Sequence, residues 1–293
     1  MRVEVESTSA LIFDDGTPVR AASAIAPFGD GWLIAQDDAT HAAWVRPDAT
    51  VPLRVVDPVD GLEIFSSAAG TKHLKPDFEA ACAVEAGVLL LGSGSSPARM
   101  RASLVAADGS YAVADLSTLY REVAAALGLR PDQLNLEGAC RVGDRLRWFQ
   151  RANLAAGAAN ASVDVDLGAL LTVFSGAGSE QINITDVRVY DLGLVDDVAL
   201  AVTDAVTLPD GRIVVSAAAE DTPNAVDDGP VVGAAVALLE DGRVVTVAEL
   251  PDAHKVEGLA LATSTSGGTD LLAVVDADDP LAPSLRLDLH LRW

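Results

Sequence analysis

Three glutamates, each followed by small residues, recur along the chain and carry its candidate chemistry. They are Glu79 in Glu-Ala-Ala-Cys, Glu137 in Glu-Gly-Ala-Cys and Glu257 in Glu-Gly-Leu-Ala. Two of the three lysines in the sequence, Lys75 and Lys255, lie just upstream of one of these glutamates. Neighbouring carboxylates act as general acids and bases when their pKa values differ, or as oxygen ligands of a divalent cation. The pattern predicts a charged pocket, provided that the fold brings the segments together.

The motif that contains these glutamates returns five times at nearly even spacing. Its first residues are Ser23, Glu79, Glu137, Thr203 and Glu257, separated by steps of 56, 58, 66 and 54 residues. Self-similarity at such a period is typical of repeat architectures, and strand-forming units favour a β-propeller over a helical solenoid. The sequence therefore predicts an all-β protein that forms a single propeller domain over residues 1–293.

Each repeat unit contains the sequence pattern of two hairpins. The first joins two apolar runs through a tight turn such as Gly-Asp-Gly at residues 29–31, and the second is exemplified by the turn at residues 107–109. Four strands per unit, with a first strand rich in small residues, are typical of a propeller blade. We expect five blades, with six as the alternative because residues 182–192 add extended sequence before Thr203.

Two segments fall outside the regular blades. The fifth unit ends with its third strand near residues 284–290, whereas the strand-like N-terminal segment has no partner of its own. We expect the N-terminal strand to complete the last blade and close the ring, because closure removes exposed sheet edges. Residues 117–128 show amphipathic spacing and end in a glycine, which predicts one short helical insertion.

Equivalent residues of propeller blades meet at one end of the central channel, so the glutamates should converge there. Residues two positions apart in an extended strand share a side, which adds the residue two positions upstream of each glutamate. The predicted ligand-binding residues are Lys75, Asp77, Glu79, Asn135, Glu137, Arg151, Lys255 and Glu257. The alternative interpretation is that the same charges form ion pairs that hold the blades together.

Three carboxylates near one axis repel one another unless a cation compensates their charge. Glu79, Glu137 and Glu257 are therefore the candidate metal ligands, and Ca²⁺ is the candidate ion because it accepts carboxylate, amide and water oxygens in a flexible shell. The sequence assigns no catalytic residue, and it identifies no cofactor other than this candidate ion.

The formal charge of −23 argues against partners that are polyanions, such as nucleic acid or anionic lipid surfaces. No apolar run approaches the roughly 18 residues of a membrane helix, and residues 1–6 lack the features of a signal peptide. We expect a cytoplasmic protein that binds neither nucleic acid nor membranes. Cys82 and Cys140 occupy equivalent motif positions and are predicted to be buried free thiols.

Several segments resemble those of an uncharacterised bacterial β-propeller-like family. They are residues 75–80, 135–139, 217–222, 227–230, 255–259 and 276–280. The strand that begins Glu-Gly-Leu or Glu-Gly-Ala is also similar to motifs of esterase-like phytase propellers and of lactonase and strictosidine-synthase-like propellers. The second resemblance implies calcium-assisted hydrolysis at a central pocket.

Two functions follow as hypotheses. In the first, a charged central pocket binds a small anionic ligand through Lys75, Lys255 and Arg151, and metal-assisted hydrolysis of an ester or lactone is its catalytic form. In the second, the propeller is a non-catalytic scaffold that presents its loops to a protein partner.

Overall fold

Five antiparallel sheets make up the described part of the chain. The computed structural model describes residues 1–179, 182–221, 229–265, 267–277, 279 and 281–293. Parts of three segments named above, residues 222, 227–228, 278 and 280, lie outside the described residues. The sheets are antiparallel throughout, as expected for hairpin-connected strands.

The strands follow one another blade by blade along the chain. The N-terminal strand is β1 (Arg2–Ala10). Blade one contains β2 (Ala22–Phe28), β3 (Gly31–Gln36), β4 (His41–Val45) and β5 (Thr50–Arg54). Blade two contains β6 (Phe78–Val84), β7 (Gly87–Gly92), β8 (Arg101–Ala106) and β9 (Tyr111–Asp115). Blade three contains β10 (Leu136–Val142), β11 (Arg145–Gln150), β12 (Asn160–Asp166) and β13 (Ile184–Tyr190). Blade four contains β14 (Leu194–Val195), β15 (Val198–Thr207), β16 (Ile213–Glu220), β17 (Val231–Glu240) and β18 (Arg243–Glu249). Blade five contains β19 (Val256–Thr265), β20 (Gly268–Val275), β21 (Leu285–Arg292) and the N-terminal β1.

The inner strands β2, β6, β10, β15 and β19 form a closed ring. Each of them contacts the next, and β19 contacts β2. Strand β1 pairs antiparallel with β21, so the two ends of the chain complete blade five together. The prediction of a five-bladed propeller closed by the N-terminal strand is confirmed. The extended sequence near residues 182–192 forms β13, the outer strand of blade three, and not a sixth blade.

The hydrophobic core is divided into layers, each lying between two adjacent blades. Successive residues of a strand point to opposite faces, so the middle strands bury apolar side chains on both sides. In β7, Leu89 and Leu91 pack toward blade three, whereas Val88 and Leu90 pack toward blade one. The apolar side chains thus hold neighbouring blades together, while the inner strands are left to shape the axis.

Two α-helices occur in the described part of the chain, α1 (Ser117–Ala126) and α2 (Leu167–Thr172). Helix α1 confirms the predicted insertion, and its buried face packs Tyr120 against Trp148 of blade three with ring centroids 4.8 Å apart. Helix α2 was not predicted from the sequence. Neither helix has the length and apolar character that a membrane span requires.

A β-bulge interrupts the pairing of every inner strand at the first residue of the sequence motif. The pairing with the second strand skips Ser23, Glu79, Glu137, Thr203 and Glu257. A bulge leaves its extra residue out of the ladder and redirects the side chain. The repeated motif therefore encodes five equivalent bulges, which we call the bulge ring.

The members of the bulge ring divide into two chemical kinds. The hydroxyl of Ser23 donates a hydrogen bond to the carbonyl of Phe78 in the next blade, and the hydroxyl of Thr203 donates to the carbonyl of Val256. The three glutamates instead line a cavity at the axis. Hydroxyls thus link blades one to two and four to five, and the carboxyl groups are available for other contacts.

Replacing Thr203 with valine tests the link between blades four and five. The variant keeps the shape of the side chain but leaves the Val256 carbonyl without the hydroxyl donor, at a site where Thr203 is 1% exposed. We expect a loss of about 1–2 kcal/mol in the free energy of unfolding. Urea denaturation measures it, with the same substitution at the exposed Thr8 as control. Equal stability of the two variants would show that the hydroxyl link contributes nothing.

Candidate functional site

A cavity of about 1300 Å³ lies at the end of the central channel where the inner strands begin. Its wall is built from the first residues of the inner strands, the last residues of the second strands and the loops between them. All three lysines of the chain, Lys72, Lys75 and Lys255, line it. Acidic side chains in the wall nevertheless outnumber basic ones by two to one. The cavity is therefore strongly polar and carries an excess of negative charge.

The first charged cluster of the wall comes from blades one and two. The Lys75 ammonium pairs with Asp37, lies 2.6 Å from Oδ1 of Asp77 and 3.9 Å from Oε1 of Glu79. Nη1 of Arg99 lies 3.1 Å from the other oxygen of Asp77. Asp77 itself has a φ of 60°, in the left-handed region that residues other than glycine adopt at a cost. A strained, almost fully buried carboxylate thus lies at the centre of this cluster.

The second charged cluster comes from blades three, four and five. The guanidinium of Arg151 donates to Oε2 of Glu137 at 2.9 Å and to Oε2 of Glu220 at 2.5 Å. Nζ of Lys255 lies 2.9 Å from Oε1 of Glu257 and 4.0 Å from Glu220. Three carboxylates thus share two cations across three blades, and the side chains of all five residues are at most 14% exposed.

Glu137 is a carboxyl group of the second cluster whose pKa is raised. Burial disfavours its charge and Glu257 repels it, and these effects outweigh Arg151, so the pKa of Glu137 is raised to about 7. The side-chain amide of Asn135 donates to Oε1 of Glu137 at 2.6 Å and fixes the orientation of the carboxyl group. Glu137 can therefore gain or lose a proton near neutral pH while it is held in place.

Two carboxyl groups of the first cluster, Glu79 and Asp77, have pKa values that are shifted in opposite directions. Burial and the charges of Asp77 and Asp37 raise the pKa of Glu79 well above its usual range. Although burial alone would raise the pKa of Asp77, Lys75 and Arg99 lower it. Glu79 also interacts electrostatically with Glu137, so the two clusters meet at these two side chains. Neighbouring carboxyl groups whose pKa values are pushed apart thus lie in one pocket, an arrangement that is typical of acid and base catalysis.

A metal ion could be held by part of this wall. Oxygens of Asp37, Asp77 and Glu79 lie within 4.8 Å of one another, a spacing that suits a divalent cation. Only Glu79 belongs to the metal set predicted from the sequence. In the structure, Glu137 pairs with Arg151 and Glu257 pairs with Lys255, because blades three to five supply their own cations.

All eight residues predicted as ligand-binding line the cavity. The structure adds residues that lie outside the predicted ligand-binding set, among them Asp37, Arg99 and Glu220, which pair with the predicted ones. Asp37 and Glu220 lie at the ends of second strands, and that end of a strand adjoins the bulge of its antiparallel partner. The signal in the sequence for Asp37 and Glu220 is therefore their position at the end of a second strand and not their residue type.

Cys82 and Cys140 are buried free thiols, as predicted. Burial raises the pKa of each thiol to about 12. Because the thiolate is the nucleophilic form, neither cysteine is suited to act as a nucleophile at neutral pH.

A family model matches residues 71–280, which cover most of the chain and include the bulges of blades two to five. The chain belongs to the DUF6910 family. This family is described as one of unknown function, so membership in it assigns no activity to the chain. Comparison with curated proteins finds no match to this DUF6910 chain.

Two solved structures are similar to this DUF6910 chain at low sequence identity. The first is a luciferin-regenerating enzyme, with 10% identity, a TM-score of 0.46, and coverage of 94% of this chain and 81% of the other. The second is apo AztD from Citrobacter koseri, with 9% identity, a TM-score of 0.29, and coverage of 90% and 70% respectively.

Proposed function

We propose that the axial cavity binds a small polar molecule. The main support is a difference between the residues of the bulge ring. At equivalent positions of the bulge ring, Ser23 and Thr203 link blades through hydroxyls, whereas Glu79, Glu137 and Glu257 line an open cavity. Burying ionisable groups costs several kcal/mol per ion, and hydroxyls achieve the link between blades without that cost. Three such groups around one cavity favour a binding role over a purely structural one.

The charges of the wall favour a ligand that is neutral or positively charged. Lys75, Arg151 and Lys255 were predicted to neutralise an anion, but each already contacts two or more carboxylates. An anion would have to displace these partners and enter a wall with excess negative charge. A hydroxylated, amide-bearing or amine-bearing molecule can bind to the same carboxylates as a hydrogen-bond donor.

A thermal-shift screen with three classes of small molecule tests the proposal. The panel contains neutral sugars and lactones, primary amines, and carboxylate or phosphate anions. We expect neutral or cationic compounds to raise the Tm of the wild type, and we expect the double variant Glu137→Gln and Glu257→Gln to lose most of that shift. The glutamine side chains of this variant have nearly the same shape as glutamate but cannot ionise.

Glu85→Gln is the matched control, because Glu85 is exposed in the turn after β6, away from the cavity. It should respond to ligands as the wild type does. If only anions raise the Tm, the negatively charged ligand predicted from the sequence becomes the better proposal. If no class shifts the Tm, the proposal fails and the scaffold hypothesis, with a protein partner, becomes the better one.

Hydrolysis of a neutral ester or lactone is a second candidate, and it is favoured by the pKa values of Glu79 and Glu137, which burial and neighbouring carboxylates raise above the usual range of a glutamate. Ionised Glu137 would take a proton from water as the oxygen attacks the carbonyl carbon. Protonated Glu79 would give its proton to the leaving alkoxide as the carbon–oxygen bond breaks. The products are a carboxylic acid and an alcohol, or a hydroxy acid from a lactone.

The rate of this reaction should increase with pH. Glu137 is a base only when ionised, so kcat/KM should rise with pH through about 7. Release of acid from simple esters and lactones, followed with a pH indicator, measures it in the wild type and in Glu137→Gln. Hydrolysis that persists unchanged in Glu137→Gln would exclude this role for Glu137, while the binding proposal would still be judged by the thermal-shift screen.

A further inference from the structure

The ammonium group of Lys75 lies at the place where the first cluster would hold a metal ion. It pairs with Asp37, lies 2.6 Å from Asp77 Oδ1 and contacts Glu79 at 3.9 Å. These are the three carboxylates whose oxygens lie within 4.8 Å of one another. The lysine side chain is 10% exposed, so the cation is held inside the wall rather than at its surface.

The backbone around Lys75 holds its side chain in this position. Residue 76 is a proline, which restricts the preceding residue to extended conformations, and Lys75 has φ −56° and ψ 142°. The amide of Asp77 then donates to the carbonyl of Asp37 and joins the segment to the end of β3. The lysine is thus fixed at both its main chain and its ammonium group.

A further oxygen of the cluster is also occupied. Oδ2 of Asp77 receives the hydroxyl of Ser93 and the guanidinium of Arg99. A calcium ion needs six to eight oxygen ligands at about 2.3–2.6 Å, and a lysine ammonium offers three donors and no acceptor. An ammonium group and a metal ion therefore cannot share these three carboxylates.

We propose that the Lys75 ammonium is the resident cation of the Asp37, Asp77 and Glu79 cluster and that it excludes divalent metal ions from it. A metal ion enters only when the ammonium group is removed. Calcium-assisted chemistry, which the resemblance to other propellers implied, therefore has no place at this cluster in the wild type. This inference concerns the occupant of the cluster and is independent of which ligand the cavity binds.

Metal binding by the full chain tests the inference. The wild type should show no saturable Ca²⁺ or Mg²⁺ binding by isothermal titration calorimetry, and neither EDTA nor Ca²⁺ should change its Tm. Lys75→Met should gain saturable Ca²⁺ binding, with a Kd on the order of 10⁻⁴–10⁻³ M, and a Tm that rises with Ca²⁺. Lys75→Arg keeps a cation in place and should gain no binding.

Lys255→Met is the matched control. Lys255 is as buried as Lys75, with a side chain that is 10% exposed, but it lies in the second cluster, where it pairs with Glu257 and Glu220 and not with the Asp37, Asp77 and Glu79 group. It should gain no metal binding. If Lys75→Met folds only when Ca²⁺ is present during refolding, the inference is supported. Bound metal in the wild type, or a folded Lys75→Met without any gain in Ca²⁺ affinity, would overturn it.

Discussion

Arg151→Met is expected to lower the free energy of unfolding by about 3–5 kcal/mol at alkaline pH. Arg151 is the shared partner of Glu137 and Glu220, whose side chains are 8% and 9% exposed. Removing one member of a buried ion pair leaves the other charges without compensation, and this costs more than the pair contributed. Urea denaturation of the wild type and the variant measures the difference.

The size of this loss should depend on pH. The pKa of Glu137 is raised to about 7 in the folded protein, against a usual value of 4.5. A carboxyl group with a raised pKa stabilises the fold below its unfolded pKa, and that stability is lost as the pH rises through the folded pKa. Without Arg151, Glu137 can stay neutral in acid but not in alkali. We therefore expect a smaller loss below pH 7 than above it.

Two further variants show whether the loss of stability comes from the buried ion pairs or from the removal of any arginine. Adding Glu137→Gln to Arg151→Met should restore part of the stability, because one unpaired carboxylate is removed. Arg46→Met breaks the exposed pair with Asp30 and should have little effect, since exposed ion pairs contribute little. Equal losses in Arg151→Met and Arg46→Met would contradict this account of the second cluster.

Gly138→Ala is expected to cost about 1–3 kcal/mol, because the inner strands approach one another too closely for a side chain. A Cβ atom at residue 138 would lie 2.7 Å from Cα of Asp204 in the inner strand of blade four. The neighbour is backbone and cannot turn aside, so blades three and four would have to separate. Thermal and urea denaturation give the loss.

Gly168→Ala is the control for the Gly138 variant. The same added methyl group would meet no atom closer than 3.5 Å in helix α2, where alanine is the better helix former. That variant should be unchanged or more stable by up to about 1 kcal/mol. A Gly138→Ala protein as stable as the wild type would mean that the inner ring has more freedom than the interatomic distances indicate.

The same closeness of the inner strands explains why the fold could be predicted from the sequence. Alanine or glycine follows four of the five bulges because these residues must pass near the axis, and this crowding leaves a repeat that is visible without a structure. Helix α2 leaves no such signal. It has six residues, includes Gly168, and begins at a local cap in which Asp166 accepts a hydrogen bond from the amide of Ala169.

The candidate site was predictable in its composition but not in its pairing. The motif identified Glu137 and Glu257, and the rarity of lysine identified Lys75 and Lys255. The partners Asp37 and Glu220 come from other strands, and their contacts depend on how blades are placed around the axis. The prediction of a negatively charged ligand depended on Lys75, Arg151 and Lys255, and a sequence does not show that these side chains pair with carboxylates of the same protein.

The bulge ring has a consequence for how this protein can change over evolutionary time. A residue in a bulge takes no part in the ladder, so its replacement leaves the register of the strands intact. The side chains at these five positions can therefore change without a shift in strand register, and a position that now joins two blades can acquire a group that faces the cavity at the cost of that link. Such a ring lets selection alter the specificity of the pocket one blade at a time while the scaffold stays constant.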